Sequence, residues 1–178
     1  TDITRTISLG KQSNKIKNIF TYVLKGHIAV ANSNLNRLKS AHLIDSLARK
    51  YLKKKGLDYP HGTGHGVGYF LNVHEGPIAI SKGYKIKLKP GHVISNEPGF
   101  YKKGKFGIRI ENMIYVKQVK NKVFFENLTM VPIDKELINF DLLNKDEKNY
   151  LLNYNLRIYS TVEKYLNYKE KFWLLSQF

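Results

Sequence analysis

H-G-T-G-H-G-V-G-Y-F-L-N-V-H-E-G-P, running from His61 to Pro77, carries glycine at every second position from Gly62 to Gly68 and ends in a Gly-Pro turn. A glycine-rich loop that cradles phosphate follows G-x-G-x-x-G or G-x-x-x-x-G-K-[ST] and leads into a helix. Neither pattern stands here, and strand-like residues follow. His61 and His65 are four apart, a spacing that on a helix would turn both toward one metal ion. Gly62, Gly64 and Gly66, at about 1 kcal/mol each in a helix interior, argue against that helix. The stretch reads instead as extended backbone in which missing Cβ atoms let something approach closely. His65 then projects into a site that His74 can reach from the following loop. For His65 taken alone, a hydrogen-bonded core histidine is the competing reading.

Working outward, residues 69–74 and 92–101 read as short strands, with turns at Gly76-Pro77, Pro90-Gly91 and Pro98-Gly99. From Ile108 the period is two: Ile108, Ile110, Ile114 and Val116 share one face, and Arg109, Glu111, Met113 and Tyr115 the other. Val123 to Val131 supplies a further strand, with a hairpin at Asn121-Lys122. Residues 145–175 read as one helix, with Leu151, Leu152, Tyr159, Val162 and Leu166 as its buried positions. Upstream, residues 1–10 alternate as a strand with Ile3, Ile7 and Leu9 on one face. Ile16, Ile19, Phe20, Val23, Leu24 and Ile28 recur at helical spacing between Ser13 and Val30. A polar stretch, Asn32 to Lys39, separates this helix from a second that Ser40 caps and Gly56 stops as a C′ glycine. Helices and a curved block of strands in this order make the chain α+β.

Composition removes several functions. The 178 residues contain no cysteine, which excludes disulfides, thiolate catalysis and Cys-ligated metals. No apolar run approaches the ~20 residues that cross a bilayer. The formal charge of +16 suggests nucleic acid, yet only Arg5, Arg37, Arg49, Arg109 and Arg157 of the 30 basic residues are arginine. Direct base readout favours the arginine fork, and the lysines are scattered, so solvated surface is the preferred reading over nucleic-acid binding. The opening Thr1-Asp2-Ile3 has neither Met nor the charge and hydropathy of a leader, and the polypeptide is expected to continue upstream.

Three of the 14 acids occupy unusual places. Glu97 sits in S-N-E-P-G between an apolar strand and a Pro-Gly turn. Glu111 lies within an apolar strand on the face of Arg109, and Asp2 lies in the first strand. A carboxylate in such a strand is costly unless paired or bound to a cation. A salt bridge to Arg109 or an exposed face would serve Glu111 as well, and turn hydrogen bonds would serve Glu97. Taken together, three carboxylates and one imidazole describe a hard, oxygen-rich site suited to Mn²⁺, or to Zn²⁺ or Co²⁺.

These runs resemble a known family. His61 to Pro77, N-E-P-G-F-Y from Asn96 to Tyr101 and G-I-R-I-E-N from Gly107 to Asn112 closely resemble aminopeptidase P, the X-prolyl aminopeptidases of the pita-bread metallopeptidase family. T-D-I-T-R-T at the start and F-T-Y-V-L-K-G-H-I-A-V from Phe20 to Val30 fit the same family. L-T-M-V-P-I from Leu128 to Ile133 fits its long eukaryotic form, and the likeness covers nearly the whole chain.

The resemblance implies a pita-bread fold, a curved antiparallel sheet with flanking helices, present as an incomplete segment. Residues 1–178 would be the C-terminal part of a catalytic domain whose upstream part and N-terminal domains lie outside this sequence. It implies two divalent ions, most commonly Mn²⁺, with Asp2, His65, Glu97 and Glu111 as four of five protein ligands. The fifth, an aspartate shared with the second ion, would precede Thr1. It implies metal-activated water attacking the N-terminal X-Pro bond, with Glu97 as ligand and proton shuttle and His74 stabilising the tetrahedral intermediate. His61 would border the proline pocket, and Tyr101 and Arg109 would line or brace it. Peptides with proline second are the implied substrates, the cytoplasm the implied location, and a membrane is not implied. A homodimer through the apolar tail of Phe172, Trp173, Leu174, Leu175 and Phe178 is set against packing of that tail on its own domain. A catalytically inactive pita-bread binding module is the alternative function. The spacing from His65 to His74 disfavours a methionine aminopeptidase.

Overall fold

Ser13 ends an extended segment and accepts a hydrogen bond from the Ile16 amide, which starts helix α1, Asn14–Ala31. The computed structural model describes residues 2–38, 40–70 and 72–178. Helix α2, Ala41–Lys53, begins after Ser40 as expected, although the Ser40 side chain makes no capping bond. Its end is a Schellman closure: Leu57 N donates to Leu52 O, Gly56 N donates to Lys53 O, and Gly56 takes φ +69°. The C′ glycine is borne out.

Strands follow: β1 Gly64–His65, β2 Ala79–Ile80, β3 Val93–Asn96, β4 Gly99–Lys102, β5 Phe106–Arg109, β6 Asn112–Val119 and β7 Lys122–Asn127. All pairings are antiparallel: β1 with β2, β4 with β5, and a three-stranded sheet in the order β3-β6-β7. The register of β4 on β5 continues that of β3 on β6, so residues 93–102 and 106–115 form one long hairpin interrupted in its middle. Pro98-Gly99 therefore bends the chain without reversing it. The reversal lies at 103–105, where Gly104 has φ +68°.

The two-residue period of this hairpin is the backbone of the core. Ile108 and Ile110 are buried in one apolar cluster with Phe20, Val23 and Leu24 of α1. Ile114 and Val116 are buried in a second with Ile44 and Ala48 of α2, Ile80 and Ile94. Each fully buried isoleucine contributes roughly 1.5–3 kcal/mol, so the face carrying them is fixed and the opposite face, with Arg109 and Glu111, is fixed with it.

Further expectations are corrected. Residues 2–10 are extended but, among the described residues, form only one bridge, Thr4 to Glu111. Ile7 and Leu9 are exposed, because the segment turns its even-numbered polar side chains inward instead: Thr4 to Glu111, and Thr6 Oγ1 to the backbone of Arg109. The region 69–74, of which Leu71 lies outside the described residues, is a loop. Its hydrogen bonds close locally, Gly68 N to Asn72 O and Glu75 N to Gly66 O, leaving Tyr69 and Phe70 in solvent. β7 stops at Asn127 because Asn127 and Thr129 turn their side chains to Asn112 and the Met113 amide, and the hairpin loop before it is Lys120-Asn121, one residue early.

The expected single C-terminal helix is two, α3 Lys145–Val162 and α4 Tyr168–Ser176. Asn144 with Glu147 and Asn167 with Glu170 form a capping box at each start, so the second box opens a new helix. Leu151, Tyr154 and Ile158 form the buried stripe of α3, which puts Leu152 on the solvent side. Tyr159, Val162 and Leu166 pack partly buried against the core. No helix among the described residues is long and apolar enough to cross a membrane.

Candidate metal centre

Glu97 and Glu111 meet where the long hairpin opens. Asn96 pairs with Asn112 on one side and Gly99 with Arg109 on the other, so the register sets Glu97 opposite Glu111. Neither of their amides serves the ladder. Glu97 N donates to Thr63 O at 2.8 Å and Glu111 N to Thr4 O at 3.0 Å. Each glutamate thus draws in another segment: Thr63 leads into β1 with His65, and Thr4 follows Asp2. Four residues far apart in sequence converge because one ladder gap recruits two edges.

β1 comes this close because Gly64 has no side chain. A Cβ there would stand 1.9 Å from Ser95 O, and one at Gly66 2.1 Å from Glu75 O. What approaches the glycines is the chain's own backbone. His65 Nδ1 lies 2.9 Å from Gly66 O. A carbonyl only accepts, so Nδ1 carries a proton there and the ring's other nitrogen is Nε2. That Nε2 points at the acids, 3.2 Å from Asp2 Oδ2 and 3.3 Å from Glu97 Oε1. Ligand atoms of Asp2, His65 and Glu111 all lie within 4.8 Å of one another. Ser95 Oγ accepts from His65 N at 2.9 Å and donates to Glu97 Oε1 at 3.0 Å.

Glu111 is buried, and Thr4 Oγ1 donates to its carboxylate. Burial pushes its carboxyl above the usual range. Glu97 and Asp2 push the same way, against the Thr4 hydrogen bond and Arg109. Carboxylates gathered at one point repel unless a cation joins them. A divalent ion fits this set, and three oxygen donors with one imidazole favour the harder ions.

Among the described residues Arg109 does not form the salt bridge to Glu111 that was the competing reading of that acid. Its Nη1 lies 3.8 Å from Glu97 Oε2, because Nε donates to Tyr101 Oη at 2.7 Å and turns the guanidinium that way. Tyr101 Oη is also 2.8 Å from His61 Nε2, while His61 Nδ1 is 2.7 Å from Gly62 O. His61 therefore holds its proton on Nδ1 and accepts from Tyr101. Burial lowers its pKa, with Gly62 opposing and Arg109 assisting. The His74 ring centroid is 4.2 Å from that of His65. His61, His65, His74, Tyr84, Glu97 and Arg109 line an open cleft of about 420 Å³. The structure thus brings all eight sequence-designated residues to one place.

Thr4, Ser95 and Arg5 escaped the sequence reading. Thr4 and Ser95 each stand two residues from a designated acid, on the same face of extended chain, and that period was the available signal.

The model of metallopeptidase family M24 matches residues 1–118, and that of the C-terminal region of the same peptidases matches 122–177. The chain belongs to metallopeptidase family M24. This M24 chain is 46% identical over 176 residues to the protein of Fusarium vanettenii named Probable Xaa-Pro aminopeptidase P, covering 93% of the chain and 28% of that relative. Its identity to the protein of the same name in Sclerotinia sclerotiorum is 47%, over 93% of the chain and 29% of the relative. It thus spans under a third of these relatives. Among solved structures, the X-prolyl aminopeptidase of Caenorhabditis elegans, described as a cytosolic enzyme with a di-nuclear active site, superposes with a TM-score of 0.91 at 38% identity, over 99% of the M24 chain and 30% of the worm chain. The Xaa-Pro dipeptidase of Bacillus anthracis superposes at 0.64 with 34% identity, over 75% and 36% of the two chains. The pita-bread architecture expected from the resemblance is the one found, as a segment of the longer relatives' length.

Proposed function

We propose that residues 1–178 are the C-terminal part of the catalytic domain of an X-prolyl aminopeptidase, which releases the N-terminal residue from peptides with proline second. The observation that carries this reading is the convergence of Asp2, His65, Glu97 and Glu111 at the ladder gap beside an open cleft. In the proposal these four hold divalent ions, two per site as in the worm relative, with Mn²⁺ preferred over Zn²⁺ and Co²⁺ on the oxygen-rich donor set. Such ions, when bound, lower the pKa of water and polarise a carbonyl.

The chain's own residues do the rest. Glu97 takes the proton of the attacking water and passes it to the proline nitrogen. His74, on the open side of His65, donates to the carbonyl oxygen as charge develops there. His61, neutral and fixed by Gly62 and Tyr101, walls the proline ring, and Arg109 braces Tyr101 and Glu97. The gathering of these groups in and beside one cleft supports an enzyme over an inactive binding module. A cytosolic site of action is carried over from the worm relative. Phe172 and Trp173 of α4 are exposed while Leu174 is buried, a surface proposed to join two copies and checked by sedimentation.

The test is hydrolysis of an X-Pro peptide against its X-Ala counterpart by the full polypeptide, before and after chelation and Mn²⁺ return. Turnover restricted to X-Pro and restored by Mn²⁺ is expected. A folded protein that turns over neither peptide with Mn²⁺ present overturns the proposal.

A further inference from the structure

Arg5 is three residues from Asp2, and all three of its guanidinium nitrogens are engaged. Nη1 donates to Thr4 O at 2.9 Å and to Glu111 O at 2.7 Å. Nε donates to Pro132 O at 2.9 Å, and Nη2 to Asn112 Oδ1, Val131 O and the Tyr154 hydroxyl at 2.7, 2.8 and 3.1 Å. Tyr154, on α3, is buried; its hydroxyl also accepts from Asn112 Nδ2 at 3.3 Å and donates to Val131 O at 2.9 Å. The web runs on, from Asn112 Nδ2 to Asn127 Oδ1 at 2.9 Å and from Asn127 Nδ2 to the Tyr150 hydroxyl at 3.0 Å.

Apolar side chains would join a helix to a sheet at lower desolvation cost than this polar web, whose distinct property is a fixed geometry. The geometry it fixes is that of two ligand carriers. One guanidinium holds the carbonyl of Thr4 and the carbonyl of Glu111, and Thr4 in turn bonds the Glu111 amide and carboxylate. A slide of Arg5 would carry the Asp2 segment along the Glu111 strand. Among the described residues, Tyr154 is the only hydrogen-bonding anchor of Arg5 that comes from a helix.

We infer that α3, through the Tyr154 hydroxyl and Arg5, positions Asp2 and Glu111 for metal binding, so that the C-terminal region is a working part of the metal centre. Arg5 and Tyr154 are positioning residues; neither touches substrate or ion. The inference rests on the metallopeptidase reading above.

Tyr154→Phe in the full polypeptide removes the hydroxyl and keeps the ring stacked on Tyr150. Mn²⁺ affinity is read by titration of the free-ion paramagnetic resonance signal, beside the unfolding midpoint of the metal-free protein and peptide turnover. The expected result is a Mn²⁺ dissociation constant raised about tenfold or more, an unchanged KM for the X-Pro peptide, and turnover recovered by excess Mn²⁺. A merely structural role would move the metal-free midpoint and leave the dissociation constant alone. A folded variant whose Mn²⁺ affinity stays within about twofold of wild type overturns the inference and leaves the metallopeptidase reading standing. Wild-type protein that binds no Mn²⁺ overturns both. Arg5→Lys, which keeps the charge and loses the fork, takes the place of Tyr154→Phe under the same criteria if that variant does not fold.

Discussion

His27 sits wholly buried on α1, and neither ring nitrogen has a hydrogen bond of good geometry, though the backbones of Ile110 and Asn96 lie beside it. Burial, assisted by Arg5, lowers its pKa from 6.5 to about 3. A base whose pKa is depressed by folding binds its proton more readily when unfolded. Stability therefore rises with pH between the two values and is lost as pH falls from 6.5 toward 3. At pH 5 the loss from this one residue is about 2 kcal/mol. Urea unfolding of wild type and His27→Leu at pH 7 and pH 5 checks this: the variant should lose less on acidification, and parallel losses would refute the assignment. Of the site residues, His65, Glu97 and Glu111 were legible because each breaks the pattern around it. His27 was not, since a histidine inside an apolar helix looks the same in sequence whether its ring meets solvent or the core. Arg5 was hidden for another reason, its partners lying at positions 111, 112, 131, 132 and 154.

At the level of elements, β1 shows how a very short strand can carry function. Its placement rests on Gly64, whose Cβ would collide with Ser95 O. Gly64→Ala should force β1 away from β3, cost about 1–3 kcal/mol, and weaken metal binding by moving His65 from Glu97; calorimetry with metal titration reads both. Unchanged metal affinity would show that His65 holds its place by other means. The second capping box makes a local prediction. Asn167→Ala should cost about 1 kcal/mol, visible as faster amide hydrogen exchange over the first turn of α4 and little change in α3. The same box is why one expected helix is two: the apolar period runs on through Asn167 and Glu170, and the cap signal within it alone marks the break. Residues 1–10 and 69–74 misled for a related reason: alternation shows that a chain is extended but does not say whether a neighbour offers a ladder. Along β5 the side away from β4 is met by the Thr6 side chain, which bonds both backbone groups of Arg109, rather than by a second backbone ladder.

For the molecule as a whole, the α+β class and most element positions were readable because the two-residue period from Ile108 to Val116 fixes the sheet's inner face. The hairpin's interruption was not readable, since Glu97-Pro98-Gly99 looks like a turn and instead bends a continuing strand. That interruption makes the site, turning two amides outward and setting two glutamates face to face. The central claim is that this gap holds divalent ions. Metal content and Mn²⁺ titration of the full polypeptide, wild type beside Glu111→Gln, test it most directly. Two ions per chain are expected in wild type, as in the di-nuclear worm relative, with loss of tight binding in the folded variant. Wild-type protein that takes up no ion, or a variant that binds as wild type does, would contradict it.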